Sequence, residues 1–281
     1  MKTFAKVNVF LVIGLLWAVS ALPLRATIIF DNSSNDLTNT FEPGTLEVGD
    51  EIILSSDPAR YLTNFSFEYW GTNDANPSAF SGTVQARVRF YQNNGPLYNG
   101  YTSPGTGIYD SGWFSVPFPA GGRKTVTFSG ADFCTGLLLP VISNMTWSVQ
   151  FQGMAGTDHV GVDLYSPPVG GQDYPDYWEN NGGTWILRTN SNGQGKVDFA
   201  AKMEASGAPA VNMSQPTLTS VRSGANLLLS WPCDHIGWKL QVQTNSLTGT
   251  WYTITDSSAN NAWTLPIAPS NRSVFTRLIN P

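Results

Sequence analysis

Between residues 60 and 205 the chain returns again and again to one pattern, an apolar side chain at every second position. Phe65, Phe67 and Tyr69 alternate in "NFSFEYW", and Val84, Ala86, Val88 and Phe90 alternate in "VQARVRFY". Val126 and Phe128 follow, then Trp147, Val149 and Phe151, then Val160, Val162 and Leu164, and finally Val197, Phe199, Ala201 and Met203. A period of two belongs to strands with one buried and one wet face, and helical spacing is nearly absent here. Stretches such as "FEPGT", "NNGP", "SPGTG", "SPPVGG" and "SNGQG" separate the strands with turn-forming residues. Regular short strands of this kind predict an all-β fold, a jelly-roll-like β-sandwich of about nine or ten strands over residues 27–205.

The flanks read differently. Lys2 and Lys6 precede the apolar run "VNVFLVIGLLWAV", and small residues offer cleavage after Ala21 or Ala26. The run is shorter than the roughly 20 residues a membrane-spanning helix needs. Residues 1–26 are therefore expected to be a signal peptide, leaving a secreted or cell-surface protein with no membrane span. Residues 206–216, within "ASGAPAVNMSQP", are small and uncharged with two prolines, which predicts a linker. Residues 217–281 then hold "LLLSWP", "WKLQVQT", "WYTIT", "WTLPI" and "SVFTRL". Trp231, Trp238, Trp251 and Trp263 give this segment a heavy aromatic core for its size, as a small Ig- or fibronectin-type-III-like sandwich requires.

Loss of Lys2, Lys6 and Arg25 with the signal takes the net charge from −5 to −8. An acidic chain without a Lys/Arg cluster would be repelled by phosphates, which argues against a nucleic-acid partner. Cys134 and Cys233 have a disulfide open to them in an oxidising compartment, but their placement in different predicted domains favours two buried thiols. His159 and His235 do not combine with them at any recognised zinc spacing.

The stretches "FEPGTLEVGDEIIL", "LTNFSFEYWG", "ARVRFY", "YDSGWFSV", "WSVQFQG" and "GVDLYSPPVGGQDYPDYWENNGG" together resemble a secreted β-sandwich domain of environmental bacteria, often found in proteins with a PEP-CTERM-type sorting tail. "LLLSWPCDHIGWKLQVQTNS" with "SVFTRLINP" resembles a small module that ends many secreted proteins of similar bacteria. The resemblance implies export, a β-sandwich and a place at or beyond the cell surface. The chain departs from it in two ways: no apolar segment followed by arginines is expected, and Cys233 stands where a small residue such as Ala would.

The most chemically crowded stretch is "QDYPDYWENNGG", residues 172–183. As a loop, it would offer Tyr174, Tyr177 and Trp178 as flat faces for sugar rings. Asp173, Asp176, Glu179 and Asn180 would take the hydroxyl hydrogen bonds. An extracellular polysaccharide or cell-surface material is the partner this chemistry would suit. A glycosidase would instead need two carboxylates facing across a cleft, with Glu68 or Asp163 opposing Asp176 or Glu179. The sequence holds no G-x-S-x-G elbow, H-E-x-x-H pair or P-loop. Turn residues in "GTDHVG" and "CDHIGW" surround the two histidines. A non-catalytic protein with a structural or adhesive role is the reading that follows, with a polysaccharide-active hydrolase as the contrary one. No cofactor is expected beyond one structural calcium ion, with Asp31 in "FDNSSND" and Asp50 in "EVGDE" as its candidate ligands.

Overall fold

The computed structural model describes residues 26–130, 132–133, 137–139, 144–189, 196–208, 211–244, 247–268, 270–271 and 273–280. The expected signal peptide lies outside them except for Ala26. The chain is all-β, with no helix among the described residues long and apolar enough to cross a membrane.

In chain order the larger unit contains β1 (Thr27–Asn32), β2 (Asp36–Phe41), β3 (Glu47–Ile53), β4 (Tyr61–Asn73), β5 (Gln85–Gln92) and a small hairpin, β6 (Leu97–Tyr98) with β7 (Tyr101–Thr102). It continues through β8 (Gly107–Asp110), β9 (Phe114–Ser115), β10 (Arg123–Phe128), β11 (Leu137–Leu138), β12 (Asn144–Gln152) and β13 (Asp158–Tyr165). β14 (Gln172–Asp173), β15 (Asp176–Asn181), β16 (Thr184–Thr189) and β17 (Ala201–Ser206) complete it. One antiparallel sheet runs β1-β17-β4-β13-β2, with β10 and β11 also on β4; the other runs β16-β15-β3-β12-β5-β8, with β14 on β3 and β9 on β5.

The alternation in the sequence decides which faces meet. Phe65, Phe67 and Tyr69 of β4 and Val160, Val162 and Leu164 of β13 are buried, as are Ala86, Val88 and Phe90 of β5 and Trp147, Val149 and Phe151 of β12. They form one core with Phe199 and Met203. Aromatic rings join the two sheets directly: Phe65 lies 5.2 Å from Trp147 and 5.0 Å from Phe90, edge to face, and Trp147 lies 5.8 Å from Phe199.

One end of the sandwich is tied by Asp158. Its carboxylate accepts the N–H groups of Ser81 (2.8 Å), Gly82 (2.8 Å) and Ala155 (3.0 Å) and the Asn73 amide (2.5 Å). This joins the β4–β5 and β12–β13 connections, whose backbones touch. A Cβ on Gly82 would stand 2.0 Å from the Gly153 carbonyl oxygen, and one on Gly153, at φ +79°, 2.0 Å from that of Thr83.

The smaller unit comprises β18 (Thr219–Ser223), β19 (Asn226–Ser230), β20 (Lys239–Thr244), β21 (Tyr252–Thr253), β22 (Ala262–Pro266) and β23 (Val274–Ile279). Two three-stranded sheets, β18-β19-β22 and β21-β20-β23, enclose Leu229, Trp231 and Leu240. Trp238 is buried too, while Trp251 carries the Arg277 guanidinium over its ring at 4.2 Å. Residues 212–214, inside the expected linker, are bound to this unit. Asn212 Nδ2 donates to Asp234 at 2.8 Å, Trp238 Nε1 donates to the Asn212 carbonyl at 2.9 Å, and His235 Nε2 sits 2.9 Å from the Ser214 carbonyl. The expectation of two thiols is corrected: Cys233 is in a disulfide. The sequence holds one other cysteine, Cys134, which lies outside the described residues.

Burial alone would raise the Asp158 carboxyl, but hydrogen bonds from Ala155, Ser81, Asn73 and Gly82 outweigh it and hold the group at about 2. A depressed folded value contributes stability above the ordinary 3.8 that is lost as pH falls through about 2. Asp158→Ala should therefore cost on the order of 3 kcal/mol at neutral pH, since several charge-assisted bonds vanish together. The difference from the parent protein should shrink as pH falls from about 4 to about 2. Urea unfolding at several pH values measures both.

Candidate functional site

Most of residues 172–183 is strand, not loop. β14 and β15 both pair with β3, and β15 turns back into β16 through Gly182 (φ +62°) and Gly183 (φ +95°). Two consecutive positive φ values make the tight hairpin turn that glycine favours. The pleat then sorts the candidate side chains. Asp176, Trp178 and Asn180 share the outer face of the eight-stranded sheet, while Tyr177 and Glu179 take the opposite face. Asp176 and Glu179, three residues apart, thus point in opposite directions and form no acid pair. Glu68 and Asp163 lie on the other sheet, so neither opposes them across a cleft.

Trp178 is 0% exposed, edge-on to Tyr98 at 6.4 Å, with its indole N–H donating to Glu51 at 3.3 Å. It presents no open face to a sugar. Tyr177 packs into the core against Phe41 at 4.8 Å and Phe199 at 6.3 Å. Glu179 pairs with Arg188 at 2.7 Å, and Asn180 both donates to Glu47 (3.0 Å) and accepts from the Gly183 N–H (2.8 Å). Among the aromatic candidates only Tyr174 is exposed.

The polar centre of the outer face is Glu47, from the same "EVGDE" stretch as Asp50. It is buried, and its carboxylate accepts Tyr91 Oη at 2.9 Å, Ser148 Oγ at 2.6 Å and Asn180 Nδ2 at 3.0 Å while pairing with Arg89 at 2.6 Å. Tyr91 is edge-on to Trp185 of β16 at 5.4 Å. Burial first, then Glu47, pushes the Tyr91 phenol far above its ordinary value. Toward the other edge Arg87 grips Asp110 through two hydrogen bonds and lies over the Trp113 ring at 5.9 Å. The bond from Arg87 draws the Asp110 carboxyl down to about 2. Arg89 also reaches Gln150 at 3.4 Å. Half-buried Trp113, Tyr91 and Trp185, with guanidinium, amide and carboxylate groups between them, thus cross this face from the end of β8 to β16. Six strands at a spacing of about 4.8 Å make that distance about 24 Å.

The outer face of the seven-stranded sheet carries a second cluster. Arg123 pairs with Asp36 at 2.6 Å and Asp163 at 3.0 Å and approaches Glu68 at 3.8 Å, while Glu68 accepts from Tyr165 Oη at 2.8 Å. Glu68 and Tyr165 line a cavity of about 240 Å³ with Ser66 and Thr125. Burial pushes Asp163 up to about 7 against the pull of Arg123. His159 is half-buried beside Glu42 at 3.0 Å, and His235 is buried against Asp234 at 2.6 Å.

A third set of acids is buried or half-buried. Asp50 stands between Val48 and Ile52 on the inner side of β3, wholly buried, and its Oδ2 accepts the Phe199 N–H at 2.8 Å. Asp173, opposite Ile52, turns the same way. Asp198 precedes Phe199 and is 1% exposed. Burial, then the charges of Asp173 and Asp198, raises Asp50 well above the carboxylate range; burial brings Asp173 to about 7 and Asp198 to about 6. Asp31, by contrast, caps its own turn, its Oδ1 accepting the Ser33 N–H (3.1 Å) and hydroxyl (2.6 Å). Among the described residues no three acidic, histidine or cysteine side chains gather into a complete metal-binding set.

No protein-family model matches the chain, and no curated protein is similar to it at a significant level.

Two outcomes test these placements. Trp178→Ala should cost about 3–5 kcal/mol, because it empties a fully buried indole site; a thermal melt will show a large fall in midpoint. Asp163, raised in the folded state, contributes stability that is full below the ordinary 3.8 and is lost as pH rises through about 7. Asp163→Asn should remove that decline, so its melting temperature should vary less than the parent's between about pH 4 and about pH 7.

Proposed function

We propose that this is a secreted, non-catalytic protein with an adhesive role, and that the outer face of its eight-stranded sheet binds extracellular polysaccharide. One observation carries the reading: Trp113, Tyr91 and Trp185 interleave with Arg87, Asp110, Arg89 and Gln150 across a single face. Aromatic faces stack on the C–H surfaces of pyranose rings, and planar charged or amide groups take the hydroxyls in pairs. The Glu47 cluster fixes this surface before any ligand arrives, which lowers the ordering cost of binding. Strands hold Arg87, Arg89, Tyr91, Gln150 and Trp185 in place, and sheet strands fix such groups more precisely than loops do. The opposite orientations of Asp176 and Glu179 support a binding rather than a hydrolytic role.

Each stacked ring adds little, so affinity in the micromolar to millimolar range, about −4 to −8 kcal/mol, is expected. Affinity electrophoresis through gels containing a panel of polysaccharides should retard the full chain in at least one. Trp113→Ala and Arg87→Ala should each abolish the retardation while leaving the thermal midpoint nearly unchanged. Mobility unaffected by every polysaccharide would refute the reading.

A further inference from the structure

We infer that the inner acids of the larger unit hold a hard divalent cation, of the calcium class, between β1, β3, β14 and the segment before β17. The observation behind this is a concentration of buried oxygens with nothing to bind. Asp50 Oδ1, Asp173 Oδ2, both oxygens of Asp198 and the side-chain oxygen of Asn32 are each buried without a hydrogen-bond partner. Asp50, Asp198 and Asn32 are at most 1% exposed.

These groups belong to one place. Asp50 accepts the N–H of Phe199, the residue next to Asp198, at 2.8 Å. Asn32 Nδ2 donates to the Phe199 carbonyl at 3.2 Å and to that of Tyr165 at 2.7 Å, which fixes the amide and leaves its oxygen as the free end. Asp173 pairs with Ile52, two residues along β3 from Asp50 and on the same side. Ser166 approaches Asp198, yet its hydroxyl has no hydrogen-bond partner of ordinary geometry either. Lys196, the cation close enough to act on both Asp173 and Asp198, is exposed.

An isolated buried carboxylate is among the most unfavourable groups a core can contain, and several together add mutual repulsion. Two chemistries relieve this: protons, or a cation bound by oxygens. Calcium takes six to eight oxygen ligands and mixes carboxylates with amide and backbone carbonyls. By themselves the three acids form no metal-binding group; with Asn32 and neighbouring carbonyls completing the ligands, they suit that mixture better than the compact, four-ligand nitrogen and sulfur geometry of zinc. Of the two ligands the sequence suggested, Asp50 stays in this site, while Asp31 is satisfied by its own turn.

Terbium tests the site directly, since it replaces calcium and emits when a nearby indole is excited. Trp147 is the cross-strand partner of Asp50 on the same inner face. The full chain, stripped with chelator, should gain terbium emission under tryptophan excitation at about one ion per chain, and calcium should quench it by competition. Asp198→Asn should weaken terbium binding at least about tenfold, as loss of a ligand does, and Trp147→Phe should dim the emission with occupancy unchanged. Calcium should raise the thermal midpoint of the parent protein and have a smaller effect on Asp198→Asn. Should Asp198→Asn fail to fold, calorimetric titration of the parent with calcium alone still decides. No binding up to millimolar calcium, or unchanged affinity in a folded Asp198→Asn protein, overturns the inference.

Discussion

The larger unit depends on β4. Thirteen residues long, it pairs with β17 over its first half and β13 over its second, and with β10 and β11 on the other edge. Its alternation puts Phe65, Phe67 and Tyr69 into the core and Ser66, Glu68 and Trp70 on the outside, so one strand fixes the register of four others. A slip of one residue would send the whole aromatic row to solvent, which is why this register is tightly specified. The cross-sheet ring contacts to Trp147 and Phe90 then set how the second sheet sits on the first.

Charge is distributed by the same pleat. On both outer faces carboxylates meet arginines, Glu47 with Arg89 and Asp163 with Arg123, and the Glu47 pair is built into a network of hydroxyls and an amide. On the inner side Asp50 meets Trp147 across the strands and no arginine. Identical side chains therefore serve different ends according to which way a strand turns them. The wet faces carry neutralised surfaces suited to recognition, and the interior carries carboxyls that burial pushes toward their protonated form.

Much of the fold was legible because burial follows period two. Every core position expected from the alternation of Val84 to Phe90, Trp147 to Phe151 and Val160 to Leu164 is buried. The hairpin of β15 and β16 was misread as a loop because acids and amides dominate its composition, although its glycine pair between "DYWENN" and "TWILRT" is a turn signal. Arg87 and Trp185 come from separate strands and Trp113 from the β8–β9 connection, and no local pattern announces that they share one face. Nor does composition say that Glu47 is buried and Asp31 self-capped, since both acids sit among similar turn residues. That Cys233 is disulfide-bonded is likewise not encoded in spacing along the chain.

The touching backbones at Gly82 and Gly153 carry a consequence for ancestry. A misfit between two side chains can be cured by changing either one, so core aromatics drift together over time. Here the obstacle to any side chain is a main-chain carbonyl on the neighbouring segment, at 2.0 Å from both imagined Cβ atoms, and no substitution elsewhere removes a carbonyl. Kin of this sandwich that have replaced every aromatic in its interior should still carry glycine at both places. The pair is a fingerprint of descent that outlasts the residues giving the fold its stability.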